Sequence, residues 1–278
     1  MFTDASVYGE VVPLFVDPLS GPIAQGRTAQ LYRWAPGKVL KLYRDGWPNS
    51  EAVSEARCAR YARSVGLTVP VVWEVLHYHG RPGLVYDYCE APSLLNRMAC
   101  KPWTVFGAAR VFARVHASVH QDCAPDLESQ RDRLARKICA AEGLTASERA
   151  DLLRLLRALP VGDRLCHGDF HPGNVLIGKS GPIIVDWADA TRGNPWADVA
   201  QTSLLFRVTR LPVATPHPRM VGLGRSGFHW LYLRDYARHC PSDWGEFAAW
   251  LPLVAAARLY DGTADERPAL LALIRRRG

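Results

Sequence analysis

Three oxygen-bearing side chains stand near one another in the second half of the chain, at Asp169, Asn174 and Asp186. The first two belong to the segment HGDFHPGN, residues 167–174, and an apolar run follows it. A second apolar run, residues 183–185, leads directly into Asp186. An antiparallel hairpin of the two runs would bring the three side chains together. Two carboxylates and an amide oxygen are hard ligands that suit Mg²⁺ when phosphates and water complete its octahedron, so the spacing predicts a site for Mg²⁺ and phosphate.

The segments before this site predict a small β-rich region. Apolar runs at 39–43, 71–79 and 83–89 are typical of strands, and the last two are separated by a Gly-Arg-Pro turn at 80–82. Residues 50–64 predict one helix, with a capping residue at its start and a glycine after its end.

The rest of the chain predicts helices. Apolar side chains recur at helical spacing over residues 105–120, and a second helical pattern covers 144–159. A strand-and-loop block at 165–187 interrupts them, and residues 196–278 are again helical except for a proline-rich loop at 211–224. The expected fold class is therefore α+β, with a small antiparallel β-rich lobe followed by a larger helical lobe.

Composition excludes several classes of protein. The chain has 278 residues, of which 48% are hydrophobic and 22% charged, as in globular proteins. It contains no apolar run of about 18 residues, and its start resembles no signal peptide, so we expect no membrane association and a cytoplasmic location. Seven scattered cysteines fit reduced thiols. The net charge of +7 is spread along the chain except for Arg275–Arg277, which does not predict nucleic-acid binding.

The pattern HGDxxxxN, followed by IVDW at residues 184–187, resembles the aminoglycoside phosphotransferase and choline kinase group of small-molecule kinases. The resemblance covers about residues 20–262 and implies one phosphotransferase domain with a protein-kinase-like fold. It implies an N-lobe over residues 1–90, with a nucleotide-binding sheet and one helix, and a C-lobe over 91–278 with the catalytic loop and acceptor site. A long activation loop, as in protein kinases, has no room before Pro195.

The resemblance also implies roles for the site. Asp169 positions the acceptor hydroxyl and takes its proton, while Asn174 and Asp186 hold one or two Mg²⁺ ions on the phosphates of ATP or GTP. Asp198 braces the catalytic loop, is a helix N-terminal acid, or does both. His167 is expected to hold this loop by hydrogen bonds.

Two further histidines have other expected roles. Two roles are open for His171: it stabilises the loop, or it contacts the substrate. His116, although it resembles a histidine of the family, is expected to be a packed core residue.

In the N-lobe, the resemblance places a phosphate-binding loop around Gly26 and Thr28, where a plain surface turn is the alternative. Lys41 lies inside an apolar strand, so its charge needs a partner. Glu55 on the following helix is the expected partner and Glu51, one turn earlier, is the alternative. That Lys41 is an ordinary edge-strand lysine is also open.

The adenine is expected to contact the backbone of Asp87, Tyr88 and Cys89, where the lobes join. A protein of this fold that binds nucleotide for regulation and transfers little phosphate is the alternative function. The presence of Lys41 and Asp169, together with the expected metal ligands, favours the kinase.

The acceptor is predicted from charge. Residues 196–278 contain seven acidic residues, eleven arginines and no lysine. This balance favours a neutral or anionic hydroxyl compound over a polycationic aminoglycoside. Local acids such as Asp235, Asp243 or Glu246 could reverse that preference. A choline-like cation would instead need an aromatic cage, for which the candidates are Trp230, Tyr232, Tyr236, Trp244 and Trp250.

Overall fold

The computed structural model describes residues 21–209, 217–240 and 243–275. They form two compact units. The first contains the described residues up to Ala52 together with Val72–Tyr88, and the second contains Val53–Val71 and the described residues from Cys89 onward. The division predicted at residues 90 and 91 stays a prediction, and the part of the predicted N-lobe before residue 21 lies outside the described residues.

The first unit is built on a five-stranded sheet in which every neighbouring pair is antiparallel. Its strands are β1 (Ala24–Gln25), β2 (Ala29–Ala35), β3 (Lys38–Tyr43), β4 (Val72–Tyr78) and β5 (Arg81–Asp87), in the spatial order β1-β2-β3-β5-β4. Leu40, Leu42 and Val85 are buried at its core. The central strand β3 is buried along almost its whole length.

The hairpin of β4 and β5 turns one residue earlier than the sequence predicts. His79 and Gly80 both have positive φ angles, of 50° and 75°, and Tyr78 pairs with Arg81. Two such residues form the tight turn whose twist matches that of the strands. Arg81 and Pro82, expected in the turn, therefore belong to β5.

The second unit is mainly helical. Its helices are α1 (Asn49–Ser64), whose first turn belongs to the first unit, α2 (Leu94–Cys100), α3 (Val105–Val119), α4 (Gln130–Ala140), α5 (Ala146–Ala158), α6 (Pro195–Val208), α7 (Pro218–Tyr236), α8 (Trp244–Asp261) and α9 (Arg267–Arg275). Helix α3 packs on α7, and α4, α6 and α9 pack around α8. The buried segment Leu253–Ala257 accordingly places α8 at the centre of this packing.

Local signals explain where several helices begin. Thr145 and Glu148 form a reciprocal capping box at the start of α5. Pro218 occupies the first turn of α7, where its missing N–H costs nothing. The loop predicted over 211–224 is therefore wrong from Pro218 onward, and its residues 211–216 lie outside the described residues, as do Arg276 and Arg277.

Two small ladders of short strands complete the second unit. Strand β6 (Arg164–Cys166) pairs with β9 (Thr191–Gly193), and β7 (Val175–Gly178) pairs with β8 (Gly181–Ile184), both antiparallel. With the sheet of the first unit and the helices of the second, the predicted α+β fold class is confirmed. Among the described residues, no helix is both long and apolar enough to span a membrane.

Candidate active site

The hairpin of β7 and β8 brings the three predicted oxygen-bearing residues to one place. The Val185 N–H donates to the Asn174 carbonyl at 3.0 Å, so Asp186 follows the residue that pairs with Asn174. The Asn174 side-chain amide donates to the Asp169 carbonyl at 2.9 Å. The Asn174 N–H donates to the His171 carbonyl at 2.9 Å. Backbone and side chain thus fasten Asn174 between Asp169 and Asp186.

Asp186 stands at a strained point of the backbone. Its φ is +66°, a left-handed conformation that residues with a side chain rarely adopt. The next residue, Trp187, is buried and donates from Nε1 to the Ile184 carbonyl at 3.3 Å, which anchors the turn. The Asp186 carboxylate remains at the surface. Strain held in place by a packed neighbour is a frequent mark of functional sites.

The Asp169 carboxyl is half-buried and has a shifted pKa. Burial raises the pKa of Asp169 to about 6; His171 opposes the shift, and the carboxylates of Asp189 and Asp186 add to it. His171 Nε2 lies 3.7 Å from Asp169 Oδ2, and its Nδ1 accepts from the Gly173 N–H at 3.0 Å. His171 therefore has the structural loop contact that was one of its two expected roles. A carboxylate with a raised pKa is a stronger proton acceptor.

Asp198, in the first turn of α6, holds the backbone of the catalytic loop. Its Oδ2 accepts from the His167 N–H at 2.7 Å, and its Oδ1 accepts from the Gly168 N–H at 2.9 Å. Two imidazoles, one in α3 and one directly after it, reach the same carboxylate, because His116 Nε2 and His120 Nε2 each lie 3.1 Å from Oδ2. Asp198 thus both holds the catalytic loop and lies at a helix N-terminus, so it combines the two roles expected from the sequence.

Two tyrosines of α7 complete this buried network. The Tyr232 hydroxyl lies 2.7 Å from His116 Nδ1, and the Tyr236 hydroxyl lies 2.7 Å from His120 Nδ1. Since Asp198 accepts from both Nε2 atoms, each imidazole carries its proton on Nε2 and accepts the tyrosine hydroxyl at Nδ1.

The charge states follow from the same contacts. Burial lowers the pKa of His116 to about 4, so the imidazole is neutral. Burial alone would raise the pKa of Asp198, but the hydrogen bonds from His116 and His120 hold it well below its usual range. The Asp198 carboxylate is therefore ionised, and it accepts hydrogen bonds from four donors.

His167 and Gly168 shape the loop from inside. The buried His167 ring donates from Nε2 to the Val185 carbonyl at 3.1 Å, and its Nδ1 accepts from the Asp169 N–H at 3.3 Å. These bonds agree with the expected structural role of His167. Gly168 has φ +81°, and a Cβ there would come within 2.8 Å of the Asp189 carbonyl carbon. Any other residue at this position would push Asp189 away from the loop.

The first unit contains the residues predicted to contact phosphate. Gly26 and Thr28 flank the tight loop between β1 and β2, in which the Gly26 N–H donates to the Ala29 carbonyl at 2.8 Å. The Arg44 guanidinium donates to the carbonyls of Arg27 at 2.8 Å and Gly26 at 3.0 Å. Lys41 is buried in β3. The hydrogen bonds from Arg44 therefore stabilise the loop between β1 and β2 within the first unit.

Hydrogen bonds hold the segment predicted to contact the adenine, and burial distinguishes the two glutamates predicted to pair with Lys41. The Tyr88 N–H donates to the Gly37 carbonyl at 2.7 Å, and the Asp87 carboxylate accepts from Trp73 Nε1 at 2.7 Å. In the second unit, the Cys89 carbonyl accepts from the Ala91 N–H at 2.9 Å. Glu55 is buried, whereas the alternative, Glu51, is exposed.

Several functional residues are not predicted from sequence. His120 is one, although the four-residue spacing of His116 and His120, at the end of α3, matches that of Tyr232 and Tyr236 on α7. Tyr232, Tyr236 and Trp250, suggested as parts of an aromatic cage, are instead fully buried. The other two cage candidates, Trp230 and Trp244, are exposed.

The geometry agrees with a comparison against protein-family models. The model of the phosphotransferase enzyme family matches residues 21–236. The chain belongs to this family. As a member of this family, it is a small-molecule phosphotransferase. The predicted resemblance is confirmed. A search of curated protein sequences finds no match.

Solved structures of kinases share the fold of this family member. An amicoumacin kinase in complex with AMP-PNP, Ca²⁺ and Ami matches with a TM-score of 0.60 and 16% identity, over 92% of this chain and 86% of the other. A thermostable aminoglycoside phosphotransferase mutant with AMP-PNP and hygromycin B matches with a TM-score of 0.60 and 14% identity, over 93% of each chain. A choline/ethanolamine kinase family protein from Mesorhizobium loti matches with a TM-score of 0.59 and 18% identity, over 92% and 87%. At these identities the likeness shows the protein-kinase-like fold.

Proposed function

We propose that this phosphotransferase moves the γ-phosphate of ATP, or GTP, to a hydroxyl group of a small molecule, with Asp169 as the base. The observation that carries the proposal is the convergence of Asp169, Asn174 and Asp186 at one hairpin, fixed by the Asn174 bonds to Asp169 and Val185. The two structural neighbours that hold AMP-PNP support a nucleoside triphosphate donor.

In this proposal the chain's residues act by position and charge. The Asp169 carboxylate accepts a hydrogen bond from the acceptor hydroxyl and takes its proton as the new P–O bond forms. The bond between the γ-phosphorus and the β–γ bridging oxygen breaks, and the diphosphate leaves. The raised pKa of Asp169 suits this proton transfer near neutral pH. Asp198 acts through the loop, because it fixes the N–H groups of His167 and Gly168 beside the base.

The donor atoms of Asn174 and Asp186 fit a magnesium ion. The Asn174 amide nitrogen is already used by the Asp169 carbonyl, so the amide presents its oxygen as the ligand. With the exposed Asp186 carboxylate, this makes a set of hard oxygen ligands. When bound, Mg²⁺ would offset the charge of the nucleotide phosphates.

Residues of the first unit are proposed to hold the nucleotide. Lys41 would contact its phosphates and pair with Glu55, whose burial favours it over the exposed Glu51. Gly26 and Thr28 would cover the phosphates. The adenine would contact the segment Asp87–Cys89 through backbone groups other than the Tyr88 N–H, which Gly37 already uses.

The location and acceptor are also proposals. The seven cysteines are scattered singly along the sequence, a pattern typical of reduced thiols, which supports a reducing compartment such as the cytoplasm. The acceptor is proposed to be neutral or anionic rather than polycationic. The three acids that could have reversed this preference have other partners: Asp235 binds Arg234 and Arg238, Asp243 caps α8, and Glu246 accepts from Asn194.

The test is Asp169→Asn, with Asp151→Asn on the exposed face of α5 as the matched control. Acceptor-dependent ADP release should fall by about 10²–10⁴ in Asp169→Asn, the usual loss for a positioned base. Binding of ATP with Mg²⁺, measured by calorimetry, should persist because Lys41, Asn174 and Asp186 remain. Full turnover in Asp169→Asn would refute the assigned base. ATP binding without turnover by the wild type, across a broad panel of hydroxyl compounds, would favour the regulatory alternative.

A further inference from the structure

The net charge of the protein comes from two segments that pack together. Residues 94–120, which include α2 and α3, and residues 218–238, which include α7, contain eight of the 34 arginines and lysines but only one of the 27 acids, Asp235. The other residues of the chain contain 26 basic and 26 acidic side chains, so together they carry no net charge. The two segments are far apart in the sequence, and the packing of α3 on α7 brings them together in the second unit.

The same segments expose most of the large apolar side chains at the surface. Among the described residues, six such side chains are more than 60% exposed, and five of the six belong to these segments. The five are Trp103, Phe106, Met220, Leu223 and Trp230. Single apolar side chains at a surface are ordinary, but a group of them within a charged region marks an interaction site.

Helical spacing places these side chains in two stripes. The stripe on α3 follows intervals of four residues and consists of Phe106, Arg110 and Arg114, which are all exposed. The stripe on α7 follows intervals of three and four residues and consists of Met220, Leu223, Gly227, Trp230 and Arg234. Residues at these intervals lie on one face of a helix. Each helix therefore presents a stripe that is both apolar and cationic.

The buried Asp235 carboxylate joins the two stripes. Arg234 and Arg238 donate to its Oδ1 at 3.0 and 2.8 Å, and Arg110 Nε lies 3.8 Å from its Oδ2. The Arg234 guanidinium also lies over the Trp230 ring, 5.0 Å from its centre. Three cations meet one acid, so the junction has an excess of positive charge. We call the two stripes, together with Arg238, the basic face.

We propose that the basic face binds the surface of an anionic phospholipid bilayer. Its arginines would contact the lipid phosphates, and its aromatic and aliphatic side chains would enter the boundary between headgroups and acyl chains. This binding is independent of phosphate transfer. The expectation of no membrane association rests on the lack of a long apolar run, but a protein held at the surface of a bilayer needs no such run.

Two other occupants fit the basic face less well. A nucleic acid would use the arginines and could stack on aromatic rings, but Met220 and Leu223 offer no ring for a base to stack on. A second copy of this chain in a two-fold dimer would bring the face against itself, with cations opposite cations. A bilayer with anionic headgroups matches both the positive charge and the aliphatic side chains.

The test is sedimentation of the full-length protein with vesicles. Vesicles of phosphatidylcholine alone are compared with vesicles that also contain about 30% phosphatidylglycerol, at about 0.1 M and 0.5 M NaCl. The double variant Arg110→Gln/Arg114→Gln removes two charges from the face, and Arg154→Gln/Arg157→Gln, on exposed positions of α5, is its control. Phe106→Ala/Trp230→Ala removes two apolar side chains, and Val161→Ala/Tyr260→Ala, at exposed positions elsewhere, is its control. Circular dichroism checks that each variant is folded.

The wild type should bind the anionic vesicles at least about tenfold more tightly than the phosphatidylcholine vesicles at the lower salt concentration, and the higher concentration should remove most of this difference. Arg110→Gln/Arg114→Gln should weaken binding to the anionic vesicles about thirtyfold, the contribution of two arginines. Phe106→Ala/Trp230→Ala should weaken it at both salt concentrations, because burial of apolar surface is not screened. Both control variants should bind like the wild type.

Several results would overturn the inference. One is equal binding of the wild type to the two kinds of vesicle, and another is binding by the face variants that equals that of their controls. Binding of a labelled single-stranded RNA, but of no vesicle, would assign the face to nucleic acid. A dimer in light scattering that Phe106→Ala/Trp230→Ala converts to a monomer, again without vesicle binding, would assign it to a second copy. Calorimetric ATP binding is a separate measurement, and its failure would count against the proposed function alone.

Discussion

Replacing Asp198 with asparagine changes one buried charge and almost no volume. The wild-type carboxylate accepts four hydrogen bonds, from the His167 and Gly168 N–H groups and from the rings of His116 and His120. Asparagine has a single carbonyl oxygen. In its best orientation the oxygen keeps the three bonds made by Oδ2, and the NH₂ group then faces the Gly168 N–H.

The cost can be worked out from these contacts. Three charge-assisted hydrogen bonds become neutral, at about 1 kcal/mol each, and one buried donor loses its acceptor, at about 1–3 kcal/mol. Because the bonds share one acceptor, their losses do not add fully. We expect Asp198→Asn to lower the free energy of unfolding by about 3–5 kcal/mol, and the midpoint of thermal unfolding by roughly 6–20 °C.

The assay is urea unfolding at pH 7, followed by tryptophan fluorescence, with Asp151→Asn as the exposed control. Acceptor-dependent kcat of the folded fraction should also fall, while the affinity for nucleotide changes little, because Asp198 acts on the loop that carries Asp169. A loss of stability below about 1 kcal/mol would show that the charge of Asp198 is unimportant, and the four-donor description of the network would be wrong.

Three further outcomes are expected. Tyr236→Phe should lower the free energy of unfolding by about 1–3 kcal/mol, since it leaves His120 Nδ1 without a donor, whereas the exposed Tyr260→Phe should have no effect in the same urea assay. Lowering the pH from 6.5 to 4 should cost up to about 3 kcal/mol of stability, because His116 takes up a proton in the unfolded state near pH 6.5 but in the folded state only near pH 4; constant stability over this range would contradict the shift. Asp186→Asn should weaken calorimetric ATP binding in the presence of Mg²⁺ but not in EDTA, and equal weakening in both would remove Asp186 from the metal ligands.

Features encoded by neighbouring residues were predictable. The β7–β8 hairpin follows from two apolar runs separated by a short polar turn, and it determines where Asn174 and Asp186 meet. Helix α1 begins and ends close to its capping signals. A proline in a first turn likewise favours a helix that begins at Pro218. Three glycines between Met220 and Phe228, however, lower the helix propensity of this segment. Packing of α7 against α3 overrides that propensity.

The network around Asp198 was only half predictable. Its bonds to the loop follow from the family pattern, but the contacts of His116 with Tyr232 and of His120 with Tyr236 each join residues 116 positions apart. No period or spacing within one segment encodes such a pairing. The ion pair of Lys137 with Asp261 has the same origin, because α4 and α8 meet only in the folded unit.

The order of strands in the first unit has a consequence for synthesis on the ribosome. Strand β5 is made after β4 but lies between β3 and β4 in the sheet, so β3 keeps an open edge until Asp87 has been added. At ordinary translation rates, the residues from Arg44 to Asp87 take roughly 2–9 s to polymerise. During that interval one edge of β3, the strand that contains Leu40 and Leu42, is unpaired and can pair with other chains. Slowing translation between β3 and β5 should therefore increase aggregation of the newly made protein, whereas slowing it after Asp87 should not.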